Sequence, residues 1–432
     1  MATGLSLGLF ILLLFLLSLG IWVAPALIAI GYILLEFFTP APVGSLLAST
    51  IWDASWNWAL TALPLFIWMG EILFRTRLSS DMFKGLSPML SRLPGGLLHV
   101  NVVGCGIMAA VAGSSAVTCA TIGRMSIPEL TKRKYDETLS IGSLAGSGTL
   151  GLLIPPSIML IVYGVLAQQS ISRLFIAGVL PGIMIILIFM TYIAIRAKLN
   201  PSLAPKEKNN YTFLEKLIAG RHLFPVVGLI FCVLGSIYGG YATPTEAATI
   251  GVCGALLLAW LTKTLTLKSF FDSLMGAVKT SCMINFIIVG AAFLSVAMGY
   301  TGIPKQLGEI VNQYELSQIS LLIILTILYI FLGCFLEGTS MMVLTASVVL
   351  PMVQTAGIDL IWFGIYTVIV VEMAQITPPV GFNLFVLQGM TGRNILKITK
   401  AAMPFFFLML LGIIILVIFP QIVTAPVQYM IQ

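Results

Sequence analysis

The sequence predicts an all-α polytopic membrane protein made of two inverted-topology repeats. Each repeat is expected to have five crossings, a re-entrant hairpin and a helix broken at a Pro-Pro pair. Three observations support this. First, 59% of the 432 residues are hydrophobic and only 9% are charged, against roughly 25% charged in an average soluble domain. Second, Pro128, Pro155, Pro156 and Pro181 recur 223 residues later as Pro351, Pro378, Pro379 and Pro404, the self-similarity of a duplicated unit. Third, the basic residues sort to one side of the membrane only when each repeat contains a hairpin.

The elements follow in order. Apolar segments lie at 5–19, 21–38, 59–74, 97–127, 137–167 and 171–195, and a second series lies at 217–238, 244–262, 281–300, 318–350, 360–390 and 395–424. The first repeat thus covers 1–197 and the second 217–432. Between them 198–216 is the only long polar linker. The opening MATGLSLGLFILLLFLLSLG lacks the basic start of a signal peptide and runs into another apolar segment, so it reads as a retained first helix. Segments 79–93 and 304–317 are short and amphipathic, suited to arms along the membrane surface or to ordinary connecting helices.

Within 97–127 the middle reads Gly113-Ser114-Ser115, and within 318–350 it reads Glu337-Gly338-Thr339-Ser340. Small polar residues there suit a hairpin that turns inside the membrane; the alternative is a straight helix with a small-residue packing face. Charge decides between them. With hairpins each repeat crosses five times, so the second is inverted and both termini share the periplasmic side. Placing 198–216 in the cytoplasm then leaves only Arg173 and Lys305, of the 22 Lys and Arg residues, on the far side, as the positive-inside rule requires. The net charge of +6 is therefore a topology signal and calls for no nucleic-acid partner.

Proline at 155, 156, 378 and 379 removes the helical partners of the Gly151, Leu152, Ala374 and Gln375 carbonyls. The membrane interior offers no water in their place. Together with Gly113, Ser115, Pro155, Glu337, Gly338 and Thr377 these make oxygen-rich, sulfur-free sites that suit a hard cation such as Na⁺. Helices starting after Ser115 and Ser340 aim positive dipole ends inward, where an anion is stabilised. Ser114, Ser115, Thr339 and Ser340 sit at these tips, and Asn383 follows the second break with a side-chain amide. Glu337 and Glu372 stand out as intramembrane acids, able to hold a cation or pair with a helix end. Arg124 lies nine residues past the first tip, about 13 Å along a helix, and reads as a charge anchor. Six cysteines without a CxxC pair, and two histidines, point away from disulfide or zinc chemistry. No GxxxxGK[ST] loop is present, so ATP-driven transport by this chain has no support.

Several stretches together resemble the large membrane subunit of tripartite ATP-independent periplasmic (TRAP) transporters. They are AAVAGSSAVTCATIG, GTLGLLIPPSIMLIVYGV, RLFIAGVLPGI, YATPTEAATIG, LGCFLEGTSMMVLTASVVLPM and EMAQITPPVGFNLFV. The resemblance implies an elevator-type ion-transporter fold in a bacterial inner membrane and Na⁺-coupled uptake of an organic acid. It also implies a periplasmic substrate-binding protein for delivery and a small four-helix membrane subunit. It further implies that Ser114, Ser115, Thr339, Ser340 and Asn383 contact the substrate. Glu372 before ITPPVG and NLFV after it look more like the dicarboxylate and keto-acid members than the sialic-acid members. The readings from other classes are a passive channel or facilitator, and a polytopic membrane enzyme.

Overall fold

A computed structural model describes residues 2–76, 78–205, 212–303, 306, 309, 313, 316–378 and 381–429. Among them the chain is helical throughout. In the first half α1 is Ala2–Ser18, α2 Val23–Phe38, α3 Val43–Ser55, α4 Ala62–Phe74, α5 Leu78–Leu90, α6 Leu98–Ala112, α7 Ser115–Lys132, α8 Glu137–Gly148, α9 Ile158–Leu166 and α10 Ile171–Leu199. In the second half α11 is Phe213–Gly220, α12 Phe224–Tyr238, α13 Pro244–Leu261, α14 Leu267–Thr301, α15 Gln318–Gly333, α16 Gly338–Thr355, α17 Leu360–Ala374, α18 Phe382–Thr391, α19 Ile395–Ile418 and α20 Gln421–Tyr429.

Five of these helices are long and apolar enough to cross a membrane, or up to seven if each bent pair counts as one span. Large apolar side chains such as Phe231, Leu257, Ile327 and Phe407 are more than half exposed. A water-soluble protein would bury most such side chains, whereas a bilayer solvates them.

Helix boundaries recur at the proline offset. Helix α7 starts at Ser115 and α16 at Gly338, and they end at Lys132 and Thr355. Asp136 and Asp359, also 223 apart, cap α8 and α17 by accepting from Leu139 N and Trp362 N, each at 2.7 Å. Both caps have the same extended backbone, φ −60 and ψ 127. Such side-chain caps satisfy helix N–H groups that would otherwise be orphaned.

Two departures from the sequence reading appear. Segment 59–74 is expected to be one helix; it is preceded by α3 and a single 3₁₀ turn, with a 54° bend between the two arms. Its counterpart, expected at 281–300, is the unbroken 35-residue α14. The bend falls where Trp56 and Asn57 leave the helix and Asn57 caps the 3₁₀ turn through Ala59 N at 2.9 Å. The first amphipathic arm is α5, packed against α6 and α11. The second, 304–317, lies largely outside the described residues, as does Lys305.

The helices pack in two groups. Helices α2, α3, α4, α12, α13 and α14 pack on one another, and α6–α10 pack with α15–α19. Close approach is glycine-dependent. A Cβ on Gly290 would come within 2.9 Å of the Ala24 carbonyl oxygen, joining α14 to α2. The groups meet where α4 reaches the end of α6: a Cβ on Gly70 would lie 2.9 Å from the Val111 carbonyl oxygen and 3.2 Å from Ala112 Cα. Helices α14 and α16 also pack across this boundary.

Candidate functional site

The helices are interrupted at Gly113–Ser114, at 334–337, at 149–157 and from Gln375 on, the places where the sequence reading sets the tips and breaks. At the first tip α6 ends on Gly113, whose left-handed backbone (φ 58, ψ 14) turns the chain; that conformation strains any residue with a Cβ. Ser114 follows in extended backbone and α7 starts at Ser115. At the second tip α15 ends at Gly333, Cys334 to Leu336 turn, and Glu337 precedes α16.

Tip and break of the first repeat touch directly. A Cβ on Gly151 would meet the Ser114 carbonyl and Ser115 Cα at 2.6–2.7 Å. A Cβ on Gly113 would meet Ile158 at 3.1 Å, just after the Pro155-Pro156 pair, which is joined by a cis bond. In the second repeat Cys334 Sγ donates to the Pro378 carbonyl at 3.1 Å, and Gly338 packs on the Gln375 side chain.

Gln375 joins the two halves of the chain. Ser115 of the first tip donates to Gln375 Oε1 at 3.3 Å, across 260 positions of sequence. One side chain at the second break therefore touches both tips. Gln375 thus brings its side-chain amide to this junction beside the backbone carbonyl freed by Pro379.

The freed carbonyls are partly satisfied from within the chain. Ser157 donates its hydroxyl to the Leu152 carbonyl. Thr377 donates its N–H to the Ala374 carbonyl at 3.1 Å and its hydroxyl at 2.5 Å. Of the two sources expected to satisfy the freed carbonyls, the protein itself or an ion, the protein supplies one at each break: the Ser157 hydroxyl just after Pro155-Pro156 and the Thr377 hydroxyl just before Pro378. Ser157 has a signal in the sequence: in LLIPPSIMLIVY it and Tyr163 are the two residues that carry a hydroxyl, and Ser157 is the one next to the prolines.

The two tips differ electrostatically. Glu337 caps α16, its Oε2 accepting from Ser340 N at 3.2 Å and from Ser340 Oγ at 3.4 Å, while Oε1 accepts from Thr339 Oγ1 at 3.0 Å. Ser114, its counterpart at the same offset, makes no side-chain cap bond to α7. The first tip thus keeps its positive helix end open, whereas a carboxylate already occupies the second. Thr339 and Ser340 are held by Glu337, which removes them as free donors to an anion.

Five buried polar atoms around the second break have no hydrogen-bond partner among the described residues. They are both oxygens of Glu372, Gln375 Nε2, and Asn383 Nδ2 and Oδ1. Asn383 is fully buried in the first turn of α18, and Glu372 is 1% exposed. Unpaired buried polar atoms are rare in native proteins and mark places where a ligand, ion or water belongs. Pro379 lies outside the described residues. Arg124 is exposed, consistent with its reading as an anchor. The 260 Å³ cavity lined by Leu13, Ile30, Met298, Leu332 and Val349 is almost wholly apolar and lies between α1, α2, α14, α15 and α16. It is not the polar site.

Paired helix ends and paired helix breaks, enclosed by apolar helices and lined with unpaired polar atoms, define a multi-pass membrane transport protein. The chain belongs to the family described as the tripartite ATP-independent periplasmic transporter, DctM component, whose model matches residues 10–422. It is therefore a transporter permease subunit and not an enzyme. It is 31% identical to the C4-dicarboxylate TRAP transporter large permease protein DctM of Pseudomonas aeruginosa, over 91% of each chain. It is 30% identical to the protein of that name in Vibrio cholerae, over 96% of each. The sialic acid TRAP transporter large permease protein SiaM of Vibrio cholerae is 27% identical, over 84% of this chain and 85% of that one. Among solved structures, the Alcanivorax borkumensis YdaH transporter shares the fold, with a TM-score of 0.63 at 13% identity over 89% of each chain.

Proposed function

We propose that this subunit carries out Na⁺-coupled uptake of an organic acid across a bacterial inner membrane. A periplasmic binding protein delivers the substrate, and a small membrane subunit completes the permease. The observation that carries this reading is the junction at Gln375, where both tips and the second break meet beside unpaired buried polar atoms.

The difference between the tips divides the labour. A substrate carboxylate is stabilised by the open N-terminus of α7 together with Ser114 and Ser115, since three or four helix N–H groups there lack partners. Na⁺ is held by the Gly151 and Gln375 carbonyls and by the remaining lone pairs of Leu152 and Ala374. Gly113, Pro155, Gly338 and Thr377 shape those loops, and Glu337 supplies negative charge. Asn383 offers both a donor and an acceptor to either ligand. Helices α6–α10 and α15–α19 move as one block against the group formed by α2–α4 and α12–α14, with both termini periplasmic and 198–216 cytoplasmic.

The relatives' names include C4-dicarboxylate and sialic acid carriers. A small organic anion fits better here than a sialic acid, because identity to the C4-dicarboxylate and isethionate proteins is higher and spans more of the chain. Among small anions the reading taken is a carboxylate. The test is uptake in proteoliposomes holding this subunit and its small partner. Accumulation should need an inward Na⁺ gradient and the binding protein together. Downhill-only flux that persists without Na⁺ would make the protein a facilitator.

A further inference from the structure

Helix α11 lies in the connection between the two halves and belongs to neither helix group. Its start is closed by a reciprocal cap: Glu215 Oε2 accepts from Thr212 N at 2.7 Å, and Thr212 Oγ1 accepts from Glu215 N at 3.4 Å. At its end the chain bends by 57° into α12, whose residues FPVVGLIFCVLGSIY carry no charge. The bend therefore marks where the chain turns from the membrane surface into the bilayer. One side of α11 is held by protein. A Cβ on Gly85 of α5 would lie 3.2 Å from the Ala219 carbonyl oxygen and 2.7 Å from Leu223 Cγ. The other side is open. Leu214, Leu217 and Ile218 recur at three- and four-residue spacing, which puts them on one face, and with Phe224 they are each more than half exposed.

A groove of 620 Å³ opens here, lined by Met89 of α5, by Lys216, Leu217, Gly220 and Arg221, and by Phe224 at the start of α12. Its wall combines two cations with three large apolar side chains. Among the described residues neither Lys216 nor Arg221 forms an ion pair, and the neighbouring acid Glu215 is taken up by its cap. The groove also borders a joint between the helix groups. Helix α5 follows α4 of one group and packs on α6 and α7, the two helices of the first hairpin in the other.

We propose that this groove holds an anionic phospholipid, its phosphate between Lys216 and Arg221 and an acyl chain along Leu217, Phe224 and Met89, and that the bound lipid ties the arm α5 to the membrane surface. The chemistry of the wall selects the occupant. An inorganic anion would satisfy the two cations but leave the apolar side chains uncovered. A zwitterionic lipid would cover them but bring its own ammonium group against the cations. An anionic phospholipid matches both parts, and basic side chains at the headgroup level attract it. The tie adds to the contact of Gly85 with Ala219 and Leu223, and it steadies the base from which the first hairpin moves. It depends on neither the coupling ion nor the substrate.

Native mass spectrometry of the full subunit with its small partner tests this, with phosphatidylglycerol and phosphatidylcholine as probes. Lys216→Ala with Arg221→Ala should weaken phosphatidylglycerol binding about thirtyfold, roughly fivefold for each cation, and leave phosphatidylcholine binding unchanged. Lys263→Ala with Lys268→Ala is the control. It removes the same charge from exposed positions in and after the α13–α14 connection, where Thr262 shares a small pocket with His222, and it should bind both lipids as the unaltered protein does. In proteoliposomes, uptake by the unaltered permease should rise severalfold as phosphatidylglycerol replaces phosphatidylcholine, and uptake by the Lys216 and Arg221 variant should not respond. Equal loss of binding in both double variants would reduce the effect to net charge and overturn the site. Displacement of phosphatidylglycerol by inorganic phosphate would overturn it as a free-anion site. Unchanged lipid binding in a groove variant that has shed its small subunit would overturn it in favour of that partner. Lost binding with an unaltered response of uptake to phosphatidylglycerol would overturn the tie to α5.

Discussion

Gly151 and Gln375 show how much one position decides. A methyl group at Gly151 would press on the Ser114–Ser115 backbone, and backbone cannot rotate away as a side chain can. Overpacking of this kind costs about 1–3 kcal/mol. Gly151→Ala should therefore move the first tip and abolish uptake. The thermal midpoint should fall by only a few degrees, since the rest of the bundle is untouched. Normal uptake would show that tip and break need not touch. Gln375→Leu keeps the volume but removes the bond to Ser115, worth about 1 kcal/mol. Uptake should be lost with expression retained. Glu337→Gln should leave α16 capped, because an amide oxygen still accepts from Ser340 N, and should raise the Na⁺ requirement severalfold if the carboxylate attracts the ion. An unchanged Na⁺ requirement would leave Glu337 with the capping role alone.

At the level of elements, the tips and breaks are legible in the sequence because their residues leave no other choice. Glycine at 113 permits the left-handed turn, and paired prolines at 155–156 and 378–379 end a helix wherever they fall. What the sequence conceals is which groups then pair. Ser157 and Thr377 reach back to carbonyls that helix arithmetic leaves empty, and only a folded loop decides that a hydroxyl turns inward. The bend before α4 is hidden for another reason. Residues 43–55 mix Ser45, Ser49, Thr50 and Asp53 with apolar side chains, and an exposed helix with Trp52 at 69% and Trp56 at 80% exposure looks like a loop when judged by hydropathy. The tip asymmetry is readable in retrospect, since the 223-residue offset sets Ser114 against Glu337. Among the caps, Asp136→Ala and Asp359→Ala should each cost about 1 kcal/mol and lower the thermal midpoint alike. A large difference would mean that α8 and α17 do not play matching structural parts.

For the whole molecule the decisive question is whether the two helix groups move against each other. Their contact at the first tip is built on Gly70 of α4, which sits against Val111 and Ala112 without a side chain to interlock. A smooth surface there suits sliding, and interior packing elsewhere would resist it. The close approach also gives a direct test. A Cβ at position 70 would lie 3.2 Å from Ala112 Cα, close enough for a disulfide to be reached, and 2.9 Å from the Val111 carbonyl oxygen. Gly70→Cys must therefore push α4 and α6 slightly apart, and uptake by the reduced double variant is the baseline against which oxidation is read. In a background with the six native cysteines replaced, Gly70→Cys with Ala112→Cys should cross-link on mild oxidation. If α6 travels with a moving block, the bridge holds the block in one position. Uptake should then stop on oxidation and recover on reduction, while each single variant is unaffected by oxidant. A fully cross-linked pair that still transports would show that α4 and the first tip stay together through the cycle, and the moving boundary would have to lie elsewhere, with the packing of α14 on α16 the next place to lock.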